Sequence, residues 1–195
     1  MTTIASSESA LLTAGPAPAS ESLAPFLRAM RAEGWSRYEA LPFPTRTNEA
    51  WRFANLKALD LTGFTQPTPV SDCKQAALLD RSTGLTEIAG RMVFANDELL
   101  TRDVLSEQLK AKGVLWMPLE QAAAEHPELL KKHFMAHGAK LGSQKFAALH
   151  QANVKTGTFL YVPRGVEIDL PIEVFHWLDG ENSSTFPHTL LIAEE

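Results

Sequence analysis

The sequence predicts an α+β protein: a mixed, mainly helical region followed by an all-β segment. Two periodicities and one charge imbalance predict it. Up to about residue 155 the apolar residues recur mostly at helical spacing, as in Leu23, Phe26, Leu27 and Met30, whereas after Gly157 they alternate with polar ones. Residues 156–195 carry one basic side chain, Arg164, against seven acidic ones, a local charge of -6 within a 195-residue chain whose total is -5. Such asymmetry marks two regions of different construction, and a strand-rich segment with a solvated acidic face accounts for it. The organisation expected is a mobile tail over 1–20, a mixed helical region with short strands over 21–155, and the β segment over 156–195. A 45% apolar composition is ample for a folded core.

The tail is small, polar and broken by Gly15, Pro16 and Pro18, so it buries too little to offset its ordering entropy. An amphipathic helix capped by Ser20 or Ser22 follows and is expected to stop at Gly34, with a second short helix over 36–40. Pro42 and Pro44 then force extended backbone before Thr45 or Thr47 caps a third helix carrying Trp51, Phe53, Leu56 and Leu59, with Trp51 as its buried anchor. Prolines 67 and 69 mark a connection. Arg91 to Ala95 reads as a strand ending in an Asn96-Asp97 turn. Leu100, Val104, Leu105 and Leu109 predict a helix over 98–110 ended by Gly113, and Val114 to Met117 a buried strand. Helices are expected over 119–125, over 127–137 with Pro127 in the first turn, and over 143–154.

Four short strands are expected after Gly157: TFLYV, the alternating Val166, Ile168 and Leu170, PIEVFHW, and TLLIA. Pro163, Gly165, Pro171 and Gly180 supply corners between them, a spacing that suits a sandwich, a barrel or a solenoid. Phe159 or Leu160, Ile168, Ile172 or Val174, and Leu191 are expected to share one apolar interior. The last strand is followed by two residues, so the sheet reads as interrupted while still being built.

Composition excludes several functions. Cys73 is the single cysteine, so neither a disulfide framework nor a multi-thiolate metal site can come from this chain alone, and an unpaired thiol beside Lys74 reads as inert. No basic run addresses nucleic acid, and no stretch of 18 apolar residues addresses a membrane. There is no P-loop, no G-x-S-x-G and no dinucleotide fingerprint. His133 and His137 stand four apart, but no glutamate follows the first, so the zinc-hydrolase arrangement is missing and both suit a helix C-terminus. His176 and His188 lie on or beside strands.

FPTRTNEAWRFANL, residues 43–56, is the most unusual segment. It resembles the N-terminal motif of the SufB/SufD family, matched at Pro44, Thr45, Arg46, Glu49, Trp51, Arg52 and Leu56, with Phe53 in place of the usual tyrosine. RMVFAND (91–97), GVLWMPLEQAAAEHPELL (113–130), FAALHQANVKTGTFLYVPRGVEIDLPIEVF (146–175) and FPHTLLIAEE (186–195) resemble later blocks of that family in the same order. Two further positions depart from it. His150 stands where the family usually has asparagine, and Asp97 where it usually has glycine.

The resemblance implies the N-terminal portion of a SufD-like structural subunit of the SUF iron-sulfur assembly complex, cytoplasmic and without turnover of its own. It implies that the β segment opens a right-handed parallel β-helix, and that SufB-like and SufC-like partners bind mostly beyond Glu195. An iron-sulfur cluster and reduced flavin belong, on that resemblance, to the full complex. No catalytic, cofactor-binding or metal-ligating residue is assigned in this chain. The alternative is a metal- or small-molecule-binding β-domain enzyme using His150, His176 and His188.

Overall fold

A computed structural model describes Gly15 and residues 23–138 and 143–195. The expected mobile tail lies outside the described residues apart from Gly15. Helix α1, Pro25–Ala40, is one continuous helix where the sequence predicts two. Gly34 does not end it. A Cβ at Gly34 would stand 2.7 Å from the backbone nitrogen of Ala152, so the glycine is there to let two helices touch. Chain direction changes at Leu41, which turns extended ahead of Pro42 as expected.

The third helix does not form. Residues 43–59 hold only two single 3₁₀ turns, Glu49–Trp51 and Leu56–Ala58. The Asn48 side chain accepts from the Thr45 amide at 2.7 Å and from the Thr45 hydroxyl at 3.1 Å, a local bonding pattern that competes with helix. Phe53 is 85% exposed, with the Arg52 guanidinium 4.4 Å from its ring centroid. Trp51 is half-buried rather than buried, its ring 5.6 Å from that of Phe146.

Helix α2, Asp72–Arg81, follows the connection marked by Pro67 and Pro69, and Cys73 is exposed on it. Strand β1, Gly90–Ala95, leads into Asn96 and Asp97 at φ 48° and 66°. Two successive left-handed residues make a tight hairpin, so residues 98–102 return as strand β2, Glu98–Arg102, and not as the predicted helix. Only α3, Glu107–Ala111, is helical there, capped by the Ser106 hydroxyl and ended before Gly113 at φ 84°. Val104, counted on the helix face from its spacing, is 70% exposed.

Strand β3, Leu115–Pro118, and helices α4, Leu119–Glu125, and α5, Pro127–His133, appear where expected. Helix α5 stops four residues early because Phe134 turns extended and drops its ring into the core at 5% exposure. Helix α6, Gln144–Asn153, is capped by Ser143. Strands β4, Gly157–Val162, β5, Ile172–Trp177, and β6, His188–Ala193, complete the fold. The predicted strand around Val166 to Leu170 is instead a loop leaving the Pro163 turn, although Val166 and Ile168 still pack inward.

Two three-stranded sheets result, ordered β2-β1-β5 and β3-β4-β6. In each, an antiparallel pair supports one parallel neighbour: β1 beside β5 from Gly90↔Ile172 to Ala95↔Trp177, and β4 beside β6 from Gly157↔His188 to Val162↔Ala193. After β4 the chain crosses to the other sheet as β5, then returns as β6 alongside β4. Met92, Phe94, Trp116 and Leu160 are buried together with Val162, Ile168, Ile172 and Val174 packed against them. A second core joins the other face of β4 and β6, through Phe159, Leu190 and Ile192, to Leu27, Leu119, Ala122, Leu130 and Phe134 of the helices and the segment after α5. Of the interior group expected from sequence, Leu160, Ile168, Ile172 and Val174 do converge. Phe159 belongs to the second core, and Leu191 is 59% exposed.

Polar side chains tie the parallel pairs. Arg91 and Glu173 are directly opposite in register and form an ion pair at 2.8 Å, with the Leu85 amide donating to the same carboxylate. Buried Asn96 donates to the carbonyls of Thr68 and Asp179, both at 2.8 Å, and accepts from the Asp179 amide at 2.8 Å.

Candidate functional site

The chemistry-bearing side chains gather where α6 meets the start of β6. The C-cap of α6 fixes His150: its carbonyl accepts the Val154 amide at 2.9 Å. At the first residue of β6, His188 donates its own amide to the Thr156 carbonyl at 3.0 Å. Their side chains meet, Nε2 of His150 lying 3.1 Å from Nδ1 of His188. The His188 ring packs on Phe134 with centroids 4.4 Å apart, and the His150 ring lies edge-on to Phe186 at 6.3 Å.

This half-buried, aromatic setting disfavours charge. Burial pushes the His150 pKa down, and burial together with the neighbouring His150 pushes that of His188 down to about 4. At neutral pH both rings are therefore neutral, one nitrogen donating and the other accepting. Each ring hydrogen-bonds the other, not a serine or cysteine nucleophile, so the pair is not a catalytic triad in outline.

A second polar group involves Asp97, Lys155, Arg31 and Glu120. The Asp97 carboxyl is raised by burial, opposed by Lys155 and by the Phe186 amide that donates to it. Burial lowers Lys155, with Asp97 opposing, Arg31 adding to the effect and Glu120 opposing. Lys155 Nζ donates to Gln66 at 2.8 Å, and Arg31 Nε donates to the Ala152 carbonyl at 2.9 Å. Sequence reading missed this cluster, since its members lie on four separate elements and no spacing connects them.

His176 does not join the other two histidines. It sits on β5 in the opposite sheet, stacked 4.8 Å from Phe94, its partner in the parallel register. Among the described residues no group of three or more His, Cys, Asp or Glu side chains is placed to hold a metal ion, so the three-histidine enzyme site is not assembled. Nor do His133 and His137 share a helix face, because His133 is the last residue of α5. No described helix is long and apolar enough to cross a membrane.

With this geometry in view, comparison with known proteins is decisive for the family. The pattern of the SufBD protein N-terminal region matches residues 10–174. The chain belongs to the SufBD family. The iron-sulfur cluster assembly protein SufD of Bacillus subtilis is 30% identical over 176 residues, which cover 87% of this chain and 39% of that relative. An iron-sulfur cluster assembly SufBD family protein of Mycobacterium bovis is 36% identical over 91 residues, 47% of this chain and 11% of its own length. One from Staphylococcus aureus is 35% identical over 91 residues, 47% of this chain and 19% of its own length. This SufBD-family chain thus spans about two fifths of its Bacillus relative, and less of the others.

Proposed function

We propose that this chain is the N-terminal portion of a SufD-like, non-catalytic scaffold subunit for iron-sulfur cluster assembly. The observation that carries the reading is the family match over residues 10–174, reinforced by 30% identity to a SufD over 87% of the chain. The site supports a scaffold better than an enzyme: its two neutral histidines bond each other, and the third stands on the opposite sheet.

The β segment is proposed to open a right-handed parallel β-helix. Its support is the passage from β4 through β5 in the other sheet and back to β6 in parallel with β4, which encloses an apolar interior as one coil of a solenoid does. Strands β5 and β6 are each the outer strand of their sheet, which suits a further coil stacking on both. In this proposal the subunit works in the cytoplasm with SufB-like and SufC-like proteins, and the cluster and reduced flavin belong to that complex.

Affinity purification of the chromosomally tagged protein from its own cells tests the reading. SufB-like and SufC-like chains should co-purify in near-stoichiometric amounts. Recovery of folded protein without either chain would overturn it.

A further inference from the structure

We infer that the cavity beside β2, α3 and β3 binds a small zwitterion, an α-amino acid with an apolar side chain, taking its carboxylate on Arg102 and its ammonium on Asp103. The cavity has a volume of about 310 Å³, at the small end of the roughly 300–1,000 Å³ of ligand sites, and Arg102, Asp103, Leu105, Lys110, Trp116 and Gln121 line it. Strands β2 and β3 are the outer strands of their two sheets, at the ends opposite β5 and β6. A Cβ at Gly90 would stand 2.5 Å from the six-membered ring of Trp116, so the missing side chain lets the indole reach from β3 across to β1. Trp116 is 6% exposed and is buried with Leu105 and Val114, which gives the cavity an apolar wall for the ligand's side chain.

The charged groups are held but not spent. Arg102 Nη1 donates to Gln121 Oε1 at 2.9 Å, and Gln121 Nε2 donates to Glu125 at 2.9 Å, which turns the amide oxygen toward the guanidinium. Arg102 is thus positioned by a neutral acceptor, with its other N–H donors left for a planar carboxylate. Asp103 is anchored on Arg91: its amide donates to the Arg91 carbonyl at 2.8 Å, and its Oδ2 accepts the Arg91 amide at 2.9 Å. Neither Arg102 nor Asp103 belongs to an ion pair among the described residues, whereas the charge of Lys110 is met by Glu107 at 2.8 Å. One uncompensated cation beside one uncompensated carboxylate matches a zwitterion better than a simple anion or cation, because either of those would leave a like charge facing it. A coil stacked on β5 and β6 would leave this cavity open, so the inference does not depend on the scaffold reading.

Calorimetry and proton-nitrogen NMR of the purified protein with L-leucine test it. Leucine should bind saturably at one equivalent and shift the indole N–H resonance of Trp116, a buried donor without a protein partner among the described residues. Leucinamide, which lacks the carboxylate, and N-acetyl-L-leucine, which lacks the ammonium, should each bind at least tenfold more weakly. Arg102→Gln should weaken leucine binding at least tenfold, as should Asp103→Asn, which retains an oxygen for the Arg91 amide. Lys112→Gln, outside the cavity lining, should leave it unchanged. Failure of leucine to saturate, equal binding of either analogue, or binding that survives loss of Arg102 and Asp103 would each overturn the assignment. Should a variant fail to fold by circular dichroism, the two analogues on the parent protein decide the question alone.

Discussion

Gly34 of α1 and Ala152 of α6 are in backbone contact: a methyl group built on Gly34 would lie 2.7 Å from the Ala152 nitrogen and 2.9 Å from the carbonyl carbon of Gln151. The two helices are laced at this crossing by Arg31 to the Ala152 carbonyl at 2.9 Å, Gln151 to the Met30 carbonyl at 3.0 Å and Arg37 to Gln151 at 3.2 Å. Gly34→Ala therefore sets two effects against each other. Helix propensity would gain about 1 kcal/mol, but forcing backbone apart in a packed interface costs about 1–3 kcal/mol. The neighbouring atoms are backbone, which cannot swing aside, so the clash should win. Denaturant unfolding should show net destabilisation, and a stabilised variant would show that the helices do not cross this closely.

Lys145 is buried to 6% exposure, donates to the carbonyls of Tyr38 at 2.6 Å and Leu41 at 2.8 Å, and stands over the rings of Tyr38 and Phe43. It supplies positive charge at the C-terminus of α1 just before the proline segment. Lys145→Met keeps the stem but leaves those carbonyls without their donor, and should cost about 1–3 kcal/mol. An unchanged unfolding midpoint would remove Lys145 from this role.

The motif at 43–56 should be less critical to stability than its aromatic content implies. Phe53→Ala should change stability by less than about 0.5 kcal/mol, and Trp51→Ala, losing a half-buried ring packed on Phe146, about 1–2 kcal/mol. A loss of about 3–5 kcal/mol at Trp51, as for a fully buried tryptophan, would restore the anchored third helix that the sequence predicts.

Stability should fall in acid through the histidine pair. The folded-state pKa of His188, about 4, lies below its ordinary 6.5, so protonation favours the unfolded chain. The contribution is complete above about pH 6.5, is lost as pH falls toward 4, and amounts to on the order of 1–3 kcal/mol after allowance for partial solvent screening. His150 shifts in the same direction. Thermal melts between pH 7.5 and 4.5 should show a steeper decline for the parent than for His188→Asn. Parallel curves would contradict the burial of His188.

Strand β6 should exchange its amides unevenly. The His188 amide donates to Thr156 and the Glu194 amide to Val162, so along β6 the even-numbered amides face β4 and those of Thr189, Leu191 and Ala193 face the open edge. In monomeric, uncomplexed protein, hydrogen exchange should be slow at 190 and 192 and fast at 189, 191 and 193. Uniform protection would mean that a second strand already pairs with this edge.

Much of the local architecture was legible without coordinates. Helix α6 begins at its cap Ser143, where its start is expected, and strands β1, β3, β4, β5 and β6 lie within a residue or two of where alternation and turn residues put them. These signals are local, carried by side chains a few positions apart. The misreadings share one cause. Gly34 looks like a helix stop until α6 is laid against it, Glu98 to Arg102 looks helical until Asn96 and Asp97 take left-handed backbone and pair it with β1, and Trp51 looks like a core anchor until Asn48 ties its segment into turns.

The candidate site was legible only in part: the alternative reading groups His150, His176 and His188, of which His150 and His188 meet and His176 does not. His150 and His188 are 38 positions apart on a helix and a strand, and no motif spacing links them. By itself the sequence determined the mixture of helices and strands, the order of most elements and, through motif residues in order, the family. Only the tertiary structure decided which helix faces touch, which histidines meet and which strands pair in parallel, because those outcomes depend on contacts between distant segments, whose geometry is set by the packing of the whole core.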